Sequence, residues 1–240
     1  MILDLVSTAK VLEDVPSAKS FIEASEIAVI GFFKDHEAPE VQEFYQLVTK
    51  HPGWDYGVTT NSDVLNNFKI NSNTVTIFRQ VDKKRDDLII DENPETNMEK
   101  LYRFITINDL RMVTDYNAVT AVGILNSNIQ INTILFIDKA LQNHEKLMKA
   151  FQEAAMELKG KVLFVKVDIG IPTNEKVMSY FGISRSDLPR VVIYNNEDDS
   201  REIMMGNDIT TTHLKEFCNG FLSRKNIKDK SDKKEAKMEL

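Results

Sequence analysis

The chain has 240 residues, 42% of them apolar and 28% charged; this is a globular balance that excludes wholesale disorder and collagen-like order. No window reaches the roughly 18 apolar residues of a membrane-spanning helix, and a net charge of −7 has the wrong sign for a dedicated nucleic-acid binder. One cysteine, Cys218, rules out an intrachain disulfide, a Cys-x-x-Cys dithiol and a cysteine zinc cluster.

Asp14-Val-Pro-Ser17 is a helix start signal, and the helix it opens carries Phe21 and Ile22. Ile27–Phe33 is a continuous apolar run of buried-strand length. Val41, Phe44, Tyr45 and Val48 recur at helical spacing before Pro52-Gly53. A strand over 54–59, a short helix over 62–68 capped by Asn61 or Ser62, and a β-branched strand over 74–79 follow. Leu88–Ile90 is read as another strand, after a polar turn at 82–87, and Met98, Leu101, Tyr102 and Ile105 face inward on a closing helix.

The order then repeats. Ile134–Ile137 is a buried strand, and Leu147 to Leu158 a long helix ending at Gly160. Val162–Val167 is a strand, Glu175–Phe181 a short helix, Val191–Tyr194 with Ile203–Met205 a hairpin, and Leu214 to Leu222 the closing helix. Val64-x-x-x-Phe68 matches Val177-x-x-x-Phe181 at an offset of 113 residues, and Leu101-x-x-Phe104 matches Leu214-x-x-Phe217 at the same offset. Strand, helix, strand, helix, hairpin and helix make an α/β unit with a mixed central sheet and helices on both faces. The order resembles the thioredoxin-like fold twice over, with an extra leading element in each copy. The division expected is 11–111, 112–224 and a charged, solvated and disordered tail over 225–240. Pro189 stands where that fold carries its cis-proline, and the first copy has none before Val75.

In such a fold the reactive dithiol opens the helix after the first central strand, where the helix N-terminus lowers a thiol pKa. Here those stretches are Phe33–Pro39 and Ile137–Gln142, and neither has a cysteine. Cys218, beside Phe217 and Phe221, reads as a packed, inert thiol. His36, His51, His144 and His213 are scattered, with no metal-ligand or triad spacing, so no catalytic residue, metal or cofactor is assigned. His36-Glu37 at the old active-site position reads as an exposed loop pair, and Lys83-Lys84-Arg85, followed by two aspartates, as a solvated turn.

The chain ends Lys237-Met238-Glu239-Leu240, which resembles the Lys-Asp-Glu-Leu retrieval signal of the endoplasmic reticulum, read by a retrieval receptor. Met1–Lys10 lacks the basic region and apolar core of a secretory leader, leaving either the cytosol or a lumenal chain already freed of its leader.

Two thioredoxin-like units without dithiols, Gly160-Lys-Val-Leu-Phe-Val-Lys-Val-Asp168, Phe181-Gly182 and Leu188-Pro189 resemble the non-catalytic b and b′ domains of the protein disulfide isomerase family. Val29–Phe33, Met112-Val-Thr-x-Tyr116-Asn117 and Phe217-Cys-x-Gly-Phe-Leu-Ser223 extend the resemblance from about Val11 to Leu240. The resemblance implies an endoplasmic reticulum lumenal, chaperone-like adaptor with no membrane insertion. It would bind unfolded or hydrophobic polypeptide in an apolar cleft of the second domain. Carried over, that cleft takes Leu135, Ile137, Phe151, Val165, Val177 and Phe181, with Phe151 the sharpest anchor. All six also fit ordinary core positions.

The resemblance further implies docking onto a catalytic disulfide isomerase of the calnexin-associated type (endoplasmic reticulum protein 57). It does so through an acidic segment after the Tyr194 strand: Glu197, Asp198, Asp199, Ser200, Arg201 and Glu202, where Arg201 replaces the family's aromatic residue. A bare solvated hairpin turn is the other reading of that stretch. A scaffold or a calcium buffer without client binding is the alternative function.

Overall fold

The carboxylate of Asp14 accepts the Ser17 N–H at 2.7 Å while the Ser17 hydroxyl oxygen accepts the Asp14 N–H at 3.1 Å. This reciprocal cap, ahead of Pro16, starts α1 (Val15–Ala24). The computed structural model describes residues 9–90, 98–206 and 208–238, with side chains on the last helix described through Lys225. Its two units are Met1–Arg111 with Ala118–Asn128, and Met112–Asn117 with Ile129–Leu240.

The first unit adds β1 (Lys10–Val11), β2 (Ile27–Phe32), α2 (Pro39–Lys50), β3 (Asp55–Thr59), α3 (Ser62–Asn67), β4 (Thr74–Arg79), β5 (Arg85–Ile89) and α4 (Met98–Asn108). Its sheet has the order β1-β3-β2-β4-β5, with β2 parallel to β3 and antiparallel to β4. All six residues of β2 are buried, because helices cover both faces of this central strand. Val29, Phe44, Leu47, Ile77 and Leu101 fill one side of the sheet, and Leu12, Ala18, Phe32 and Val64 the other. The Asn61 side chain accepts the Asp63 and Val64 N–H groups at 2.8 and 3.2 Å and so caps α3. β5 begins at Arg85, three residues before the strand read from sequence, because the hairpin register sets Arg85 opposite Phe78.

The sequence division after residue 111 differs from the structure at one segment. α5 (Ala118–Leu125) belongs to the first unit, packed on α4. Gly123 permits the approach, since a Cβ there would stand 2.0 Å from the Ile107 carbonyl oxygen. Beyond α5, the Ser127 hydroxyl donates to Asp82 at 2.8 Å and Lys84 Nζ to the Asn126 carbonyl at 3.0 Å. Asp82 is itself held by Arg79 through hydrogen bonds of 2.8 and 3.1 Å, and Arg79 donates to Asn108 Oδ1 at 3.1 Å. Burial alone raises the Asp82 carboxyl, but the Arg79 guanidinium, Ser127 and the Lys84 N–H outweigh it and hold it below the ordinary carboxylate range.

The second unit contains β6 (Val113–Asp115), β7 (Ile131–Ile137), α6 (His144–Glu157), β8 (Leu163–Asp168), α7 (Glu175–Tyr180), β9 (Arg190–Asn195), β10 (Arg201–Ile203) and α8 (Thr211–Met238). The order β6-β8-β7-β9-β10 repeats the first sheet strand for strand. Between α7 and β9 a 3-10 turn at Arg185–Asp187 is capped by Ser184, and Leu188–Pro189 is cis.

The tail expected to be disordered from 225 onward instead continues α8 to Met238. Its backbone extends a helix already nucleated, and the segment is rich in Lys, which propagates helix well. Of the retrieval-like ending, Lys237 and Met238 close α8, while Glu239 and Leu240 lie outside the described residues.

Candidate binding face of the second unit

The loops that would carry a dithiol hold other chemistry. In the second unit, Lys139 Nζ lies 2.9 Å from Asp168 Oδ2 at the end of β8. Burial raises the Asp168 carboxyl, but the Lys139 ammonium and the Gly170 N–H prevail and lower it. In the first unit, His36 Nε2 is 2.7 Å from the Thr60 hydroxyl, in an exposed loop. Among the described residues no group of three or more His, Cys, Asp or Glu is placed to hold a metal ion, and no helix is long and apolar enough to cross a membrane. Cys218 is fully buried, its sulfur 3.1 Å from the Thr133 hydroxyl, and burial pushes its thiol up to about 11. At neutral pH it is a protonated packing group.

The six residues carried over as one cleft divide between opposite faces of the sheet. Leu135 and Ile137 alternate with Phe136 along β7, and successive strand side chains point to opposite sides. Leu135, Ile137 and Phe151 all lie in the core between the sheet and helices α6 and α8. Phe151 is fully buried, its ring 4.8 Å from that of Phe164. It is a core residue rather than an anchor waiting for a ligand. Val165 pairs in register with Ile134 and so shares the other face with Phe136, whose ring is 5.7 Å from Phe181. Val177 lies one turn before Phe181 and is half-buried.

That second face leads to the surface through an aromatic cluster which the sequence reading missed, apart from Phe181. Tyr180, at the end of α7, is 50% exposed. Its ring centroid is 5.0 Å from Phe181 and 6.3 Å from Tyr194 on β9, and Tyr194 is 5.3 Å from Phe181. Both tyrosine hydroxyls donate to Asp199 Oδ1, at 2.5 and 2.7 Å. These bonds hold the Asp199 carboxyl low; burial, followed by the bonds to Tyr180 and Asp199, pushes the Tyr194 hydroxyl high. The guanidinium of Arg201 lies over the cluster, 5.3 Å from the Tyr180 ring and 5.9 Å from the Phe181 ring, and donates to the Tyr180 carbonyl at 3.0 Å.

The acidic hairpin is largely neutralised from within. Arg224 on α8 meets Glu202 at 2.6 Å, and Lys225 pairs with Asp198. Burial opposes ionisation of Asp198, but Lys225 and Ser200 overcome it and hold the carboxyl far below its ordinary range. Ser200 is committed too, its hydroxyl donating to Asp198 at 2.6 Å. With Asp199 occupied by the tyrosines, the acidic side chain that stands out among 197–202 is Glu197, whose N–H bonds the Asn195 side chain while the residue is exposed. The hairpin therefore presents tyrosine rings and an arginine more than a block of negative charge.

A thioredoxin-like domain family matches residues 33–220. Endoplasmic reticulum resident protein 27 of Homo sapiens is 42% identical over 231 residues, covering 95% of this chain and 85% of that protein. The Mus musculus protein of the same name is 36% identical, covering 88% and 78%. Protein disulfide-isomerase of Oryctolagus cuniculus is 30% identical over 90% of this chain, which spans 42% of that longer protein. The matches run through both sheets, and the chain belongs to the endoplasmic reticulum resident protein 27 family, thioredoxin-like relatives of protein disulfide isomerase that reside in the endoplasmic reticulum lumen.

Proposed function

We propose that the chain is a non-catalytic adaptor that binds unfolded or hydrophobic polypeptide segments on its second unit and delivers them to a catalytic disulfide isomerase. The chemistry of thiol exchange needs a thiolate nucleophile, and the one thiol here is buried and protonated. The observation that carries the binding reading is the half-exposed Tyr180 ring, backed by Phe181 and Tyr194, in a unit that also exposes Ile171 and Ile203. Aromatic side chains with one wet edge and one packed edge dominate polypeptide recognition, since they bury much area with few rotatable bonds. An unfolded chain offers apolar side chains to such a face and a folded one does not, so selectivity comes from differential exposure of the client.

The docking of a catalytic isomerase is assigned to the same hairpin side, through Glu197 and the tyrosine–arginine cluster. Asp198 and Glu202 are already paired with α8.

The test is a titration of a labelled, unfolded apolar peptide against wild type and Tyr180→Ala, with circular dichroism on both. Tyr180→Ala is expected to weaken binding about 10-fold with an unchanged spectrum. Equal binding by the two proteins would remove this face as the site. Insulin reduction is expected to show no turnover.

A further inference from the structure

The two hairpins share one plan, displaced by 116 residues. In the first, Lys83 takes φ 52° and the Arg79 N–H donates to the Lys84 carbonyl at 3.1 Å; in the second, Asp199 takes φ 59° and the Asn195 N–H donates to the Ser200 carbonyl at 2.9 Å. Arg85 and Arg201 then open the return strands, directly opposite Phe78 and Tyr194. Each guanidinium also donates to a carbonyl at the end of the short helix: Arg85 to Phe68 at 2.8 Å and Arg201 to Tyr180 at 3.0 Å. Each lies over aromatic rings, Arg85 at 5.8 Å from Phe78 and Arg201 over Tyr180 and Phe181.

The parallel breaks at the partner of the guanidinium. The fork of Arg85 is completed by Asp87, two residues on and on the same side of β5, through Nε–Oδ1 and Nη2–Oδ2 bonds of 2.8 Å each. The corresponding residue in β10 is Ile203, which is 43% exposed. Among the described residues the hydrogen bond of Arg201 is to the Tyr180 carbonyl, which leaves the rest of its fork to solvent. Asp199 feels the charge of Arg201, but its carboxylate is engaged by the two tyrosine hydroxyls.

We propose that Arg201 is a carboxylate-binding site: the second hairpin takes an Asp or Glu side chain of an extended polypeptide into the place that Asp87 fills in the first hairpin, with a neighbouring apolar residue of that polypeptide on Tyr180 and Ile203. The planar guanidinium matches a carboxylate with two parallel N–H donors. Its stacking on Tyr180 and Phe181 and its bond to the Tyr180 carbonyl fix its orientation in advance, which lowers the ordering cost of binding. The inference rests on the aromatic face proposed above and adds the charge of what that face accepts. It assigns the hairpin an acidic partner segment, opposite in sign to the basic partner that an acidic hairpin would attract.

The experiment uses the full chain and two labelled unfolded peptides of one apolar sequence, differing only by a central Glu or Gln, followed by fluorescence anisotropy at low salt. The Glu peptide is expected to bind about 5- to 10-fold more tightly than the Gln peptide. Arg201→Gln is expected to abolish that preference. Ile203→Asp, which rebuilds within β10 the fork of Arg85 and Asp87, is expected to abolish it as well at an exposed position that the fold tolerates. The quantity read is the Glu-to-Gln affinity ratio within each protein, since Ile203→Asp also removes an apolar contact that both peptides use and is expected to weaken both about equally.

Equal affinity of wild type for the two peptides would overturn the inference; the aromatic-face reading then stands if Tyr180→Ala still weakens both and falls if it does not. A Glu preference that survives in both variants would overturn the inference alone. No binding of either peptide would overturn both.

Discussion

In the first unit the cluster of Phe32, Phe68, Phe78 and Arg85 closes on itself: Asp87 neutralises the arginine and Asn67 ends the short helix. In the second unit Phe136, Phe181, Tyr194 and Arg201 occupy the same framework, but Tyr180 stands for Asn67, a tyrosine for Phe78 and Ile203 for Asp87. The buried members of the two sets are nearly interchangeable, because ring packing against a sheet admits few volumes. The members at the rim differ, and they differ toward exposed rings and a cation whose fork, among the described residues, lacks the carboxylate that Arg85 has. The comparison teaches that a duplicated fold preserves its core and diverges at the edge of the same cluster.

The largest expected effects separate the units by stability. Asp82→Asn leaves the buried Arg79 charge with Asp86 alone, at 3.2 Å, and loosens the Ser127 contact, so the first unit is expected to lose about 3 kcal/mol. Trp54, the chain's one tryptophan, packs against the first unit's core and reports that transition in denaturant. Phe151→Ala is expected to cost the second unit about 3–5 kcal/mol through the cavity it leaves, with the Trp54 transition in place. A Phe151 variant that kept full stability but lost peptide binding would reverse the assignment of that residue to the core.

Acid sharpens the comparison with a smaller effect. Asp82 and Asp198 both have native carboxyl pKa values below their unfolded values. Their stabilisation is fully present above the ordinary Asp value of about 4 and is lost as pH falls toward the depressed native values. Each unit is therefore expected to lose stability below about pH 4, and Asp82→Asn is expected to flatten the acid limb seen by Trp54. An unchanged limb would remove Asp82 as its source.

Much of the fold was legible in the sequence where one local signal dominated. The apolar runs of β2 and β7, the Asp14 cap and the offset of 113 between α3 and α7 all carried through. α5 was missed because Ala118–Leu125 is apolar nearly all round and shows no helical period, and β1 and β6 are too short to alternate.

The site was harder to read for a tertiary reason. Leu135 and Val165 point to opposite faces because β7 pairs with β8 in one register, and no pattern within either strand states it. Phe151 repeats at the period of any core helix, so nothing local distinguishes an anchor from packing. The hairpin parallel was available but displaced: nine residues separate α7 from β9 where six separate α3 from β4, which shifts the offset from 113 to 116. Aligned at 116, Lys83, Arg85 and Asp87 fall on Asp199, Arg201 and Ile203, and the missing carboxylate becomes visible in the sequence.

The most direct measurement is residue-resolved NMR of the isotope-labelled full chain titrated with an unfolded apolar peptide. Shifts confined to Tyr180, Phe181, Tyr194, Arg201 and Ile203, with Asn67, Phe78 and Arg85 unmoved, are the predicted result. Equal shifts at the two clusters, or shifts at the first alone, would contradict the claim that the second unit's exposed aromatic face is the binding site.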